Sequence, residues 1–185
     1  MSNGEDTPPL EVNPRVTKWT GWIENEIKND VLTLFHYRAV YRRVAEIVNT
    51  RQPQLPPSVF LDVWQSSYVT TQATAVRRQS DTNRGVASLG RLLTEIAARP
   101  GLLTRARFLA PWPDDQRVRG DEGFTLNFGA GQFLDRQIAT TDANRIKHDS
   151  NVVVNYVNEH IAHRAAVPVQ RVPTYEDLNA TIDTV

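Results

Sequence analysis

The 185 residues predict an all-α protein, an antiparallel helical bundle. Three observations lead there. Apolar residues recur at steps of three and four along most of the chain, and strand-like alternation is almost absent. The breaks between periodic runs hold prolines, glycines and helix-capping residues.

Residues 1–18 are polar, with Pro8, Pro9 and Pro14, and read as a mobile tail ahead of a single domain over 19–185. From Trp19, the positions Ile23, Ile27, Val31, Leu34, Tyr37, Tyr41, Val44 and Val48 trace one face of a helix to about Asn49. The proline-rich stretch 52–57 breaks it. Ser58 is placed to cap a second helix that carries Leu61, Trp64, Tyr68, Gln72 and Ala75 to about Arg78. Ser80-Asp-Thr-Asn83 forms a turn opening a third helix with Val86, Leu89, Leu93 and Ile96, which Pro100-Gly101 stops. Thr104 to Leu109 adds a short helical piece. Residues 110–131 hold two prolines, four glycines and no helical period, so they read as a long irregular loop or lid. A last long helix is expected from about Asp142 to His163, ended by Pro168. Thr174-Tyr-Glu-Asp-Leu178 starts a final helix with acids in its first turn.

Composition narrows the function classes. With no cysteine, disulfide frameworks, zinc ribbons and thiol nucleophiles are excluded. No apolar run reaches the ~18 residues of a membrane span, and the first residues lack a secretory pattern, so a cytoplasmic protein without membrane contact is expected. Twenty-one basic residues balance twenty-one acidic ones, yet the basic ones cluster. Seven arginines between Arg77 and Ala110 face only Asp81 and Glu95, and Arg38, Arg42, Arg43 and Arg51 face only Glu46. A solvated face is the ordinary meaning of such clusters, and a phosphate-binding surface is the functional one.

Phosphate-loop and nucleophile-elbow motifs are absent from the sequence, and Gly129-Ala-Gly131 follows no predicted strand. The informative stretch is Asn155 to Arg164. On a helical wheel, Ile146, Val153, Val154, Val157 and Ile161 form the core stripe. Arg145, His148, Val152, Tyr156, Glu159 and His163 lie opposite, a mixture suited to a partner surface. Val152 and Tyr156 are therefore expected in a homodimer interface. Glu159 stands four residues before His163, where it can orient the imidazole; a surface pair is the plainer alternative. Asn158 lies beside the core stripe. His160 and His163 have a spacing that can share a metal, but His148 is too far along the helix to complete a site, so no metal or cofactor is expected. His36, Phe60, Trp64 and Tyr68 are expected to be packed inside.

Three segments carry a family resemblance. Asn158-Glu-His-Ile-Ala-His-Arg164 is similar to the second half of the signature of helical HEPN proteins, an Arg, a polar residue, a few more positions and then His. The stretch Arg78 to Leu93 resembles the mid-domain signature of their AbiU-like abortive-infection branch, and Val172 to Leu178 resembles its post-motif segment. The resemblance covers roughly residues 19–185. The resemblance implies a phage-defence protein of HEPN-like fold and a metal-independent endoribonuclease with His163 acting across a homodimer. It implies RNA as ligand and a defence-system protein as a further partner. Arg77, Arg78, Arg84 and Arg164 are the expected phosphate contacts, although for Arg78 a pair with Asp81 that fixes the turn is the plainer reading. One departure matters: the motif arginine falls at Val157 or Asn158, and neither is an arginine. Val157 lies in the core stripe, so Asn158 is taken as its equivalent, and loss of that charge removes roughly 3 kcal/mol of transition-state stabilisation. The alternative is accordingly a catalytically degenerate HEPN domain that binds RNA, nucleotide or a protein.

Overall fold

The computed structural model describes residues 13–51, 58–162 and 171–185. These form an all-α, mostly antiparallel bundle, and no β-sheet occurs among the described residues; Thr104 and Phe133 make one isolated bridge. Helix α1 (Pro14–Trp22) passes through a π-helical turn (Ile23–Ile27) into α2 (Lys28–Arg51). Then come α3 (Val59–Ser80), α4 (Leu89–Ala98), α5 (Arg105–Leu109), α6 (Arg117–Phe128) and α7 (Arg136–Tyr156). A second π-helical turn (Val157–Ala162) extends α7, and α8 (Tyr175–Thr184) follows. No described helix is long and apolar enough to cross a membrane.

Local chemistry sets most helix starts. The side chains of Asn13, Ser58, Ser88, Thr104, Asp135 and Thr174 each accept a backbone N–H of the first turn that follows. Thr174 and Asp177 complete a reciprocal capping box.

Two apolar clusters hold the helices together. In the first, Leu34 of α2, Tyr68, Ala73 and Val76 of α3, Val153 and Val157 at the end of α7, and Leu178 and Ile182 of α8 meet. Antiparallel pairing is fixed by polar ties. Gln72 donates to the Leu34 carbonyl, and Gln79 donates to Asp30 while accepting the Leu89 N–H. The Thr181 hydroxyl reaches the Asp149 carbonyl of α7. The second cluster joins Trp19, Ile27, Leu92, Ile96, Leu134 and Ala139. Beside it, buried Glu95 of α4 accepts Trp19 Nε1 and the Arg91 guanidinium, with Lys18 at 3.6 Å.

Several expectations are corrected. The tail reading of 1–18 is too long: Asn13 caps a helix from Pro14, and residues 1–12 lie outside the described residues. The 110–131 loop contains helix α6. Its buried stripe is Gly120, Phe124 and half-buried Phe128, and a Cβ at Gly120 would sit 2.9 Å from both Leu109 and Trp112. This glycine reads as a loop signal but is there because neighbours approach closely. The third helix starts later than expected, at Leu89, since Ser88 and not the 80–83 turn caps it. The last long helix starts earlier, at Arg136. On α2 the buried line runs through Arg38, with Tyr37 half exposed; Arg38 pairs with Asp183 at 2.7 Å and donates to the Asn179 carbonyl. His36 is exposed, and Phe60 is 71% exposed.

Candidate functional site

Helices α3 and α7 run antiparallel, so the C-terminal turn of α3 and the Ser80–Asn83 turn lie along the middle of α7. Between them is an open groove of about 240 Å³. Arg77, Asp81, Thr82 and Asn83 form one wall, and Lys147, Asn151, Val154 and Asn158 form the other. Lys147, Asn151 and Val154 of α7 and Asn158 of its π-helical extension are spaced by four, three and four, which puts them on one stripe between the core and outer faces.

Asn158 faces this groove, where its Oδ1 accepts Arg77 Nε at 2.5 Å. The contact fixes the guanidinium by its inner nitrogen. No described residue takes the two terminal nitrogens of Arg77, and neither Arg77 nor Lys147 forms an ion pair among the described residues. By contrast, Arg38, Arg78, Arg91 and Arg105 all sit on carboxylates. The groove therefore holds two cations whose charges are not neutralised by direct pairs. Planar guanidinium nitrogens match phosphate oxygens in pairs, and an ammonium adds a movable donor.

The turn that closes the groove is rigidly tied. Asp81 Oδ1 accepts the Asn83 N–H at 2.8 Å, and Ser88 Oγ donates to the Asp81 carbonyl. Arg91 Nη1 reaches the Thr82 carbonyl. Gln79, buried below, ties the end of α3 to α2 and α4.

Among the predicted phosphate contacts that lie within the described residues, only Arg77 is brought to Asn158. Arg78 was expected to have Asp81 as its structural partner, yet it pairs with Asp30 of α2 at 2.7 Å. Arg84 is exposed in the turn and does not line the groove. Arg164 and His163 lie outside the described residues, and with them the proposed Glu159–His163 pair. Glu159 is exposed, with an oxygen 3.8 Å from His160 Nε2. That Nε2 is buried and has no hydrogen-bond partner among the described residues, while the His160 ring lies 5.3 Å from the Tyr156 ring. Val152 and Tyr156 are both half-buried on the outer side of α7.

Lys147, Asn151, Asp81 and Asn83 escaped the sequence reading. The signal was present in the stripe Lys147, Asn151, Val154 and Asn158, whose polar members share one helical line. What the sequence lacked was the element facing it.

No protein-family model, curated protein or solved structure matches this chain.

Proposed function

We propose that the chain is a HEPN-type helical domain that takes RNA into the α3–α7 groove and cleaves it without a metal, through His163, in a homodimer. The observation that supports this reading best is the Arg77–Asn158 contact. Asn158 carries no charge, but it holds the Arg77 guanidinium beside the position where the motif arginine is expected. A cation delivered from α3 thereby supplies what α7 lacks. In the reaction, the 2′-oxygen bonds to the adjacent phosphorus and the 5′-oxygen leaves, with His163 moving the protons. Arg77, with Lys147 nearby, offsets charge on the phosphorane oxygens. Val152 and Tyr156, half-buried in one protomer, are the surface on which the second docks.

Binding without cleavage is the second reading, and one detail favours it. The amide oxygen of Asn158 is committed to Arg77, so residue 158 is not itself free to stabilise a transition state through that atom. Labelled RNA incubated with the purified protein in EDTA separates the two. Under the nuclease reading, RNA is cut, His163→Ala abolishes cutting, and Arg77→Gln lowers it by a factor on the order of 100. RNA that is bound but intact in every variant establishes the binding reading instead, and cutting that survives His163→Ala rejects the site.

A further inference from the structure

The groove that holds Arg77 and Lys147 also presents a carboxylate, and the local fold does not account for its charge. Asp81 needs only one oxygen to make its turn: Oδ1 accepts the Asn83 N–H, a bond that the Asn side chain makes equally well. The other oxygen has no hydrogen-bond partner among the described residues, and Asp81 forms no ion pair with Arg77, Lys147 or Arg78. A negative charge in a phosphate-binding groove opposes the ligand's own charge. It fits a ligand that brings a hydroxyl donor close to its phosphate. A ribonucleotide chain does this at every sugar, whereas a deoxyribonucleotide chain has no such donor.

We infer that Asp81 makes this groove selective for RNA over DNA, by accepting the 2′-hydroxyl of a ribose flanking the phosphate held at Arg77. The inference rests on the RNA reading above and names the residue that would enforce it. The 2′-hydroxyl donates to the free carboxylate oxygen, while a deoxy sugar leaves that oxygen facing a phosphate with no donor between them. Discrimination comes from both terms, a gained charge-assisted hydrogen bond and an unrelieved repulsion.

The test uses the whole 185-residue chain and two single-stranded oligomers, oligo-uridine and oligo-deoxyuridine, which differ only at the 2′ position. Fluorescence-anisotropy titrations, all in a His163→Ala background that leaves the ribo-oligomer uncut, compare the wild-type groove, Asp81→Asn and Arg77→Gln. Asn keeps the turn acceptor and removes the charge, and a melting curve verifies the fold. Wild type is expected to bind the ribo-oligomer about ten-fold more tightly, the value of one hydrogen bond to a charged group. Asp81→Asn should bring that ratio close to one, by losing the charged hydrogen bond in the ribo complex and relieving the repulsion in the deoxy complex. Arg77→Gln should weaken both complexes and leave the ratio in place. Equal wild-type affinities, or a ribo preference that survives Asp81→Asn, overturn the inference alone. Failure to bind either oligomer overturns the RNA reading and the inference with it.

Discussion

Replacing Glu95 with leucine removes the polar centre that joins α1 to α4. Its Oε2 accepts Trp19 Nε1 at 2.9 Å, and its Oε1 accepts Arg91 Nη2 at 2.8 Å, with Lys18 and Arg15 at 3.6 and 4.0 Å. The four partners do not count equally. Lys18 and Arg15 have side chains about half and two-fifths exposed, so water replaces most of what they lose, and each is worth at most a few tenths of a kcal/mol. Trp19 is 2% exposed and its indole N–H would be left without an acceptor, at about 1–3 kcal/mol. Arg91, one-fifth exposed, adds roughly another 1 kcal/mol. The sum is about 2–4 kcal/mol, which lowers Tm by roughly 5–15 °C in a domain of this size. Glu95→Gln keeps an amide oxygen for Trp19 and should cost about half as much. Urea unfolding reads both as a shift in midpoint at constant slope. Equal losses for Gln and Leu would refute the dominance of the Trp19 bond, as would a Leu loss below about 0.5 kcal/mol. The acid limb gives a second check. Burial pushes the Glu95 carboxyl up, but the Trp19 and Arg91 hydrogen bonds and the Lys18 and Arg91 charges outweigh it and hold it below its ordinary 4.5. Its contribution is thus present above that value and lost as pH falls through the depressed folded pKa, and Glu95→Gln should flatten this loss.

Gly90→Ala should cost about 1–3 kcal/mol, because its Cβ would lie 2.9 Å from the Ser80 carbonyl oxygen where α4 crosses the end of α3. Gly101→Ala, with nothing within 4 Å of its Cβ, is the control, and equal midpoints for the two in urea would contradict the packing. Tyr156→Glu should convert a light-scattering mass of two chains to that of one at tens of micromolar protein; a monomeric wild type would remove the proposed dimer face. The acid limb should also carry Asp149 and Asp177, both held below 3.8, by His148 and Thr184 in the first case and by Thr174 and Arg171 in the second. Thr184→Val should therefore weaken stability at neutral pH and narrow its loss on acidification, measured as midpoint against pH.

What the sequence made legible was local. Ser58, Thr104 and Thr174 announce their helices because a cap acts within three residues. The core stripe Ile146, Val153 and Val157 is buried because a helical period reports which side avoids water. Features set by distant partners were not legible. Arg38 lies in a buried line because Asp183, 145 positions away, receives it. The period of α6 is hidden because one of its buried positions must be glycine. In the sequence Asn158 stands out for the residue it is not, whereas its role in holding Arg77 depends on how α3 lies against α7. Arg78, adjacent to Arg77, belongs to Asp30, a difference of one helical step that composition cannot reveal.

The central claim is that Arg77, held by Asn158, meets RNA phosphate in the α3–α7 groove. The direct measurement is single-stranded RNA affinity across a salt series for wild type and Arg77→Gln. Losing one phosphate contact should weaken binding at low salt and flatten the slope of log affinity against log salt by about 0.7. An unchanged affinity and slope in Arg77→Gln would contradict the claim, whatever the wild type binds.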